Sequence, residues 1–299
     1  MSSYLEANAR ERLFAVLDVD SFYEFLPPAL RTVSPHLGQL DAPVSFDDGV
    51  AVGQGRLHGE CVFVAAQEGG FMGGAVGEVH GAKLTGLLQR ALRDRPYAVL
   101  LLLETGGVRL HEANAGLIAV SEVMRALLEV RAAGIPVIVL VGGSNGCFGG
   151  MGIVARCANA IVMSEEGRLA MSGPEVIETA NGVEEFDSRD RALVWRTSGG
   201  KHRYLLGDCQ MLVADSSAAF RQAAFDIAQE SHAKAGNIPL TLEALEAEQQ
   251  FLQNRIDRFG AAADPLEIWS LIGVIDAAQL PMLEADAFVT ATAELRLGA

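Results

Sequence analysis

Two apolar segments, residues 98–103 and 135–141, each run into a pair of glycines and then into a helical pattern. Both are far shorter than the roughly 20 residues that a membrane-spanning helix requires. They are therefore predicted to be buried strands. A buried strand that leads through glycines into a helix, repeated along the chain, is typical of a parallel sheet covered by helices.

The surrounding segments extend this alternation. A hairpin is predicted from strands at 50–57 and 60–67, which turn at Gly59. The remaining predicted strands span 97–103, 136–141 and 160–164, and the predicted helices between them span 76–93, 113–133 and 151–158. The sequence thus predicts an α/β fold, whose ligands would bind at the carboxyl ends of the strands, where the glycine turns lie.

Three regions are predicted along the chain: an N-terminal arm over 1–45, a main domain over 46–235 and a C-terminal helical extension over 236–299. Further helices are predicted at 174–179, 188–195, 217–230 and 242–259. The last is amphipathic, and one of its faces carries Leu242, Leu245, Leu252, Ile256 and Phe259. Such a face can pack on its own domain or on another protein, and we expect this extension to face a partner.

Composition narrows the classes of function. A net charge of −15 disfavours binding to nucleic acid or to an anionic membrane surface. The first residues have neither a basic stretch nor an apolar stretch typical of a secretion signal, so a cytoplasmic location is expected. The four cysteines are far apart and form no CxxC pair, which argues against a zinc ribbon and a disulfide framework.

The candidate site consists of two glycine turns. The first, residues 104–109, contains Gly106-Gly107, and the second, residues 142–152, contains Gly149-Gly150. Each follows a predicted strand and precedes a helix, so bare backbone N–H groups can point at a ligand. Two such turns on neighbouring strands can direct two donors at one oxygen. The pattern therefore predicts an oxyanion site.

A competing interpretation comes from residues 142–146, which match the G-x-S-x-G pattern of serine hydrolases. Ser144 would be the nucleophile, Asp208 or Asp215 the acid, and His232 the base.

The remaining motifs are negative: no GxGxxG follows a strand, no P-loop is present, and the histidines lack metal-ligand spacing. His80 and His111 are weaker candidates for a role in the site. No metal site is predicted.

Three segments in consistent order carry a family resemblance. Residues 65–83, with Met72-Gly73-Gly74, resemble the acyl-CoA carboxylase carboxyltransferase segment in which a strand ends at a Met-Gly-Gly turn. Residues 105–112 resemble the Ser-Gly-Gly-Ala-Arg-Met-Gln-Glu oxyanion loop of those enzymes, and residues 171–178 resemble their Ala-Gly-Pro-Arg-Val-Ile-Glu segment. The chain lacks the four-cysteine zinc ribbon with which the bacterial acetyl-CoA carboxylase β subunit begins, and it has Glu175 where the carboxylases have the arginine of the last segment. In these segments the sequence most resembles the β subunits of biotin-independent malonate decarboxylases.

The resemblance implies a crotonase-like (ClpP/crotonase) ββα superhelix over 46–235, as in acyl-CoA carboxyltransferase domains. It also implies that the chain, with a γ subunit, decarboxylates malonyl-S-acyl carrier protein to acetyl-S-acyl carrier protein and CO₂ through an enolate. Gly107 and Gly150 would donate to the enolate oxygen, with Gly106 and Gly149 beside them. The alternatives within the family are a carboxyltransferase subunit of a biotin-dependent malonate decarboxylase and one of an acyl-CoA carboxylase.

Further implications concern ligands and partners. No cofactor is expected on this chain itself; the substrate would arrive on a CoA-derived arm, of the phosphoribosyl-dephospho-CoA type, of the acyl carrier protein. Candidates to contact that arm are Gly73, Gly74, Arg90, Arg93 and Lys201. The expected partners are the γ subunit, the acyl carrier protein and the acyl-carrier transferase α subunit. Only one set of paired glycine turns occurs in the chain, so a γ subunit would complete the site.

Overall fold

A computed structural model describes residues 3–30, 34–41, 48–233 and 240–298. In this part of the chain, seven strands form one sheet in the order of the sequence. They are β1 (Tyr23–Glu24), β2 (Val50–Leu57), β3 (Glu60–Gln67), β4 (Ala98–Leu102), β5 (Val137–Val141), β6 (Ala160–Ser164) and β7 (Met211–Val213). Strands β1 to β3 are antiparallel, and β3 to β7 are parallel. The predicted α/β fold is confirmed.

The parallel strands are buried along their whole length where β4, β5 and β6 lie side by side. Their register pairs Val99 with Val137 and Ile138 with Ala160. Helices cover both faces of the sheet, which is why these strands are continuously apolar rather than alternating. The predicted hairpin at 50–57 and 60–67 is also present, with Leu57 paired to Glu60 across its turn.

Twelve α-helices surround the sheet in the described residues. They are α1 (Ala9–Val16), α2 (Pro35–Gln39), α3 (Glu78–Asp94), α4 (Ala115–Ala132), α5 (Gly150–Arg156), α6 (Pro174–Asn181), α7 (Arg191–Ser198), α8 (Gly200–Leu205), α9 (Ser217–Ala233), α10 (Leu242–Phe259), α11 (Pro265–Leu271) and α12 (Ala285–Thr292). Helices α3 and α4 pack on one face of the sheet, and α1 and α9 pack on the other. None of the helices described is both long enough and apolar enough to cross a bilayer.

Helix α1 lies inside the part of the chain that the sequence assigns to an N-terminal arm. Its start is a capping box, in which Asn8 accepts from the N–H of Glu11 and the Glu11 side chain accepts from the N–H of Asn8. Leu13 and Val16 are fully buried in the core on that face of the sheet. The helix is therefore part of the packed α/β body, while the boundary at 45 and 46 falls partly on residues 42–47, outside the described residues.

Helix α10 has the bounds that its amphipathic pattern predicts. Of the five apolar residues on its face, Phe259 is buried and Leu252 is half-buried, whereas Leu242, Leu245 and Ile256 are exposed. The helix is tied to the rest of the chain by Arg255, which donates to Asp208 at 2.7 Å. Contact between the exposed part of this face and a partner remains a prediction.

Candidate functional site

Three loops leave neighbouring strands at their carboxyl ends. We name them loop 1 (residues 68–77, after β3), loop 2 (residues 103–109, after β4) and loop 3 (residues 142–149, after β5). Loop 2 contains the first predicted glycine turn, and loop 3 leads into the second at the start of α5. Parallel strands bring their carboxyl ends to one edge of the sheet, so the three loops meet there.

Loop 1 holds loop 2 through its backbone. The carbonyl of Gly73 accepts from the N–H of Gly106 at 2.8 Å, and the N–H of Val76 donates to the carbonyl of Gly107 at 2.9 Å. At Gly74 a Cβ atom would overlap the carbonyl oxygen of Glu104, and its φ is +70°, so only glycine fits. The Met-Gly-Gly turn therefore brings two backbones together and orients the first glycine pair. Contact of Gly73 and Gly74 with a carrier arm stays a prediction.

Loops 2 and 3 are joined in the same way. The N–H of Thr105 donates to the carbonyl of Gly146 at 2.8 Å, and the N–H of Phe148 donates to the carbonyl of Thr105 at 2.9 Å. A Cβ built on Gly149 would lie 3.2 Å from the Cα of Gly107. Covalent geometry then keeps the Gly150 nitrogen within about 9 Å of the Gly107 nitrogen. The structure thus brings the two predicted glycine pairs together.

The backbone amides of these glycines differ in what they bind. Gly106 donates to Gly73, and Gly149 donates to the carbonyl of Met171 at 2.9 Å. Gly107 donates to the side-chain oxygen of Thr105 at 3.1 Å. Gly150 is the first residue of α5, and its N–H has no acceptor among the described residues. The Gly150 amide is therefore the one most open to a ligand. The Gly107 amide becomes available to a ligand once the Thr105 side chain rotates away from it.

Solvent reaches this glycine surface. Gly106 is exposed, and Gly107, Gly149 and Gly150 are each partly exposed. Large apolar side chains nearby are exposed too, on the turn after loop 2, on α4, beside loop 3 and on α6. They are Leu110, Leu117, Ile118, Met171 and Val176. Apolar groups exposed around a candidate site are typical of a surface that another protein covers.

Arg109 and Glu112, which belong to the predicted oxyanion segment, have structural partners instead. Arg109 donates to the carboxylate of Asp48 at 2.8 Å and to Glu112 at 3.2 Å, and all three side chains are buried. Burial raises the pKa of Asp48, and the charge of Arg109 opposes that rise. Glu112 also accepts from the N–H of Glu78. This cluster fixes the chain on either side of the glycines.

Glu104 lies in loop 2, buried behind the glycines. It pairs with Arg12 of α1, and its other oxygen accepts from Ser144 Oγ and from the N–H of Asn145, each at 3.1 Å. The sequence predicts no role in the site for the side chain of Arg12 or of Glu104, although Glu104 lies in the first predicted glycine turn. The two residues are 92 positions apart, and no local pattern connects them.

The serine hydrolase interpretation fails on geometry. Ser144 donates to Glu104, and its φ is not positive, unlike the strained turn of a nucleophile elbow. His232 has Nε2 2.8 Å from the carbonyl of Tyr97, next to the amino end of β4, whereas Ser144 follows the carboxyl end of β5. Asp208, one candidate acid, forms salt bridges with Arg156, Arg203 and Arg255 and not with a histidine.

Asp215, the other candidate acid, accepts from the N–H groups of Tyr4 and Leu5 at 2.9 and 2.8 Å. The structure therefore does not assemble the serine, acid and histidine that the motif predicts. Cys147 in loop 3 is no alternative nucleophile, because burial raises the pKa of its thiol to about 12.

The histidines and cations suggested by the sequence lie elsewhere. His80 is buried on α3, with Nε2 3.1 Å from Nε2 of Gln67, and His111 is exposed in the turn after loop 2. Arg90 donates to Asp94 at 2.8 Å, and its guanidinium lies 3.9 Å from the ring centroid of Phe25.

Arg90 and the exposed Arg93 are near the end of α3, about 18 Å along the helix from its start beside loop 1. Lys201 on α8 pairs with Glu165 at 2.5 Å and donates to the carbonyl of Pro281. It lines a cavity of about 460 Å³ whose walls include Trp195 and Trp269. None of the three cations is among the contacts of the glycine pairs, so a role with a carrier arm stays a prediction.

Known proteins match nearly the whole chain. The sequence model of the carboxyl transferase domain matches residues 6–223. The malonyl-S-ACP:biotin-protein carboxyltransferase MADC of Malonomonas rubra is 39% identical over 98% of this chain and 96% of its own length.

Two solved structures are also similar. A chain of a Pseudomonas malonate decarboxylase hetero-tetramer in complex with malonate superimposes with a TM-score of 0.81 and 36% identity, over 91% of this chain and 97% of that one. A chain of the Pseudomonas malonate decarboxylase MdcD-MdcE hetero-dimer gives a TM-score of 0.66 and 34% identity, over 84% and 96% of the two chains. These matches confirm the predicted crotonase-like carboxyltransferase fold.

Proposed function

The chain belongs to the carboxyl transferase domain family, and we propose that it is the β subunit of a malonate decarboxylase, acting with a γ partner. Its substrate would be a malonyl thioester on an acyl carrier protein, and its products the acetyl thioester and CO₂. The observation that carries the proposal is the close approach of Gly149 to Gly107, 3.2 Å for a Cβ built on Gly149.

Loss of CO₂ from a malonyl thioester leaves an electron pair that delocalises onto the thioester oxygen as an enolate. The barrier falls if N–H groups are already directed at that oxygen. We assign this role to the amides of Gly150 and Gly107, with Gly149 and Gly106 holding the two turns. One such donor contributes on the order of 3 kcal/mol, so two would supply about 6 kcal/mol of the stabilisation.

The Thr105 hydroxyl, 3.1 Å from the Gly107 nitrogen, would be displaced when the substrate oxygen arrives. The same hydroxyl also donates to the carbonyl of Gly107 at 3.1 Å. Because the Gly107 N–H donates to the hydroxyl oxygen itself, its release requires a rotation of the Thr105 side chain about χ1 that moves Oγ1 away. The first donor becomes available without movement of the backbone.

A partner is part of the proposal because the glycine surface is open. The γ subunit would cover the exposed apolar residues around it, bind the carboxylate that leaves and supply the acid that protonates the enolate carbon. The similar Pseudomonas structures are a hetero-tetramer and a hetero-dimer, which supports a heteromeric enzyme. A stable interface of this kind commonly buries more than about 2,000 Å².

The remaining partners follow from the same proposal. The acyl carrier protein would present the malonyl group on a CoA-derived arm, and an acyl-carrier transferase α subunit would load it. This chain would bind no cofactor of its own; its contribution is the backbone donors and the loops that hold them.

A second candidate function is transfer of the carboxyl group to biotin on a protein. It is favoured by the 39% identity to the Malonomonas protein, whose name states that acceptor. Both reactions pass through the same thioester enolate, so the two glycine turns would serve either one. They differ in the fate of CO₂, which is released in the first and captured by a biotin nitrogen in the second.

The test is an assay of malonyl-thioester decarboxylation by the purified chain, by its γ partner and by the complex of the two. We expect turnover by the complex alone, unaffected by avidin. Activity that requires a biotinylated protein and stops with avidin would establish the second function. A folded complex that leaves the malonyl thioester unchanged in both assays would overturn the proposal.

A further inference from the structure

Glu104 touches all three loops of the candidate site. It belongs to loop 2, and its N–H donates to Gln67 Oε1 at the end of β3, at 3.0 Å. A Cβ on Gly69 of loop 1 would lie 2.5 Å from the Glu104 carboxyl group, and a Cβ on Gly143 of loop 3 would overlap it. Both loops are therefore packed directly on this carboxylate.

The two carboxylate oxygens have different partners. Oε1 faces loop 3, where it accepts from Ser144 Oγ and from the N–H of Asn145, each at 3.1 Å. Asn145 in turn donates from Nδ2 to the carbonyl of Gly69 in loop 1 at 2.9 Å. Oε1 thus adds a side-chain link between loops 2 and 3 to the backbone bonds of Thr105, only a few residues before Gly149 and Gly150.

Oε2 pairs with Arg12 of α1, a helix that packs on the face of the sheet opposite α3 and α4. Arg12 is 2% exposed, and its other donors are used as well: Nε binds the carbonyl of Tyr4 at 2.8 Å, and Nη2 binds that of Leu5 at 3.2 Å. A buried carboxylate without a counter-charge is costly, and Arg12 supplies that counter-charge to Glu104. The same helix touches loop 1, since the N–H of Ala9 donates to Glu68.

We propose that Glu104, neutralised by Arg12, is a positioning residue that sets the distance between the Gly107 and Gly150 donors. The inference rests on the proposed function for those donors. A misplacement of about 1 Å can cost about 100-fold in rate, so a buried acceptor that helps to hold loops 2 and 3 together can control turnover without touching the substrate. Helix α1 then belongs to the scaffold of the site.

The experiment compares two double variants in the complete complex. Arg12→Met with Glu104→Gln removes both charges but leaves an amide oxygen where Oε1 faces loop 3. Arg12→Met with Glu104→Met removes the same charges and leaves no acceptor. Because replacing a buried ion pair by uncharged groups of similar volume is commonly tolerated, both variants should fold.

We expect kcat to fall less than about 10-fold in the glutamine variant and about 100-fold in the methionine variant, with KM changed little in either. A merely structural role would make the two variants equal. Equal kcat values at equal stability would therefore overturn the inference, as would full activity in the methionine variant.

Two further measurements test the same inference. If neither double variant folds, Ser144→Ala removes one bond to Oε1 and keeps the ion pair; we expect a loss in kcat of about 5-fold, and an unchanged kcat would contradict the inference. Amide hydrogen exchange at residues 104–109 and 142–150 reports the order of loops 2 and 3 whatever reaction the complex catalyses. Faster exchange in the methionine variant alone supports the inference even if the parent complex fails to decarboxylate, an outcome that counts only against the proposed function.

Discussion

The indole nitrogen of Trp269 donates a hydrogen bond of 3.0 Å to Nδ1 of His202. Both side chains are buried, and the bond joins α11 of the C-terminal region to α8 of the α/β body. Because the indole can only donate, Nδ1 must carry a free electron pair. This contact between the C-terminal region and the α/β body therefore requires a neutral imidazole.

Acid should weaken this contact. Burial, with a smaller effect of the charge on Arg203, lowers the pKa of His202 to about 3, against 6.5 for an exposed histidine. The folded value is below the unfolded one, so the contribution to stability is present above pH 6.5 and is lost as the pH falls towards 3. Between pH 7 and pH 4.5 the loss should be about 3 kcal/mol.

Denaturant unfolding at a series of pH values measures this contribution. His202→Gln, whose side-chain oxygen can still accept from Trp269, should show a shallower fall in the free energy of unfolding with acid than the parent. His111→Gln is the control, because it makes the same replacement at an exposed histidine outside this contact. Parallel curves for the parent and His202→Gln would contradict the assignment.

A methyl group at Gly149 should separate the two glycine turns. Its Cβ would lie 3.2 Å from the Cα of Gly107, and Gly149 has φ +65°, which disfavours any other residue. We expect Gly149→Ala to lower kcat for malonyl-thioester decarboxylation about 100-fold. Gly134→Ala is the matched control: φ is +78° there, but no atom lies within 4 Å of the added carbon. Equal losses in the two variants would mean that strain, not loop separation, is responsible.

Ser144 should not behave as a nucleophile. Its hydroxyl donates to Glu104, and the structure provides no histidine beside it among the described contacts. A fluorophosphonate should leave the folded complex unlabelled, as judged by intact mass. Ser144→Ala should lose less than about 10-fold in kcat, whereas removal of a catalytic serine typically costs several orders of magnitude. Labelling at Ser144 together with such a loss would restore the hydrolase interpretation.

The exposed apolar residues near the glycine turns should form the contact with the γ partner. Ile118 on α4 is 62% exposed, two positions before Val120, whose side chain lies beside Gly150. We expect Ile118→Lys to weaken the complex at least about 10-fold, since burying an unpaired charge opposes association. Val19→Lys is the control, because Val19 is 87% exposed in the turn that follows α1, beside the β2–β3 hairpin turn.

Native mass spectrometry and analytical gel filtration of the mixed subunits measure this association. The same replacement at Ile256, 63% exposed on α10, tests the C-terminal face separately and should also weaken the complex. An Ile118→Lys protein that assembles as well as the Val19→Lys control would show that the γ partner binds elsewhere.

Local sequence patterns predict much of the architecture. Residues 50–57, 60–67, 160–164 and 242–259 have the bounds that their patterns predict, because strand and helix periods and glycine turns act over a few residues. The same local signals identify both glycine turns. The sequence missed the short β1 and β7, α8 and the two final helices, whose patterns are too brief or too mixed to stand out.

The sequence by itself therefore determined the α/β class, the edge of the sheet at which the loops meet and the glycine pairs that those loops contain. Tertiary structure decided which polar groups hold them. Arg12 and Glu104 are 92 residues apart, and Asp48 and Arg109 are 61 apart. Ser144 satisfies a hydrolase motif in sequence, yet packing gives it Glu104 as its partner. A local pattern specifies backbone conformation, whereas the partner of a buried charge depends on which distant segments fold against it, because only there does desolvation make pairing necessary.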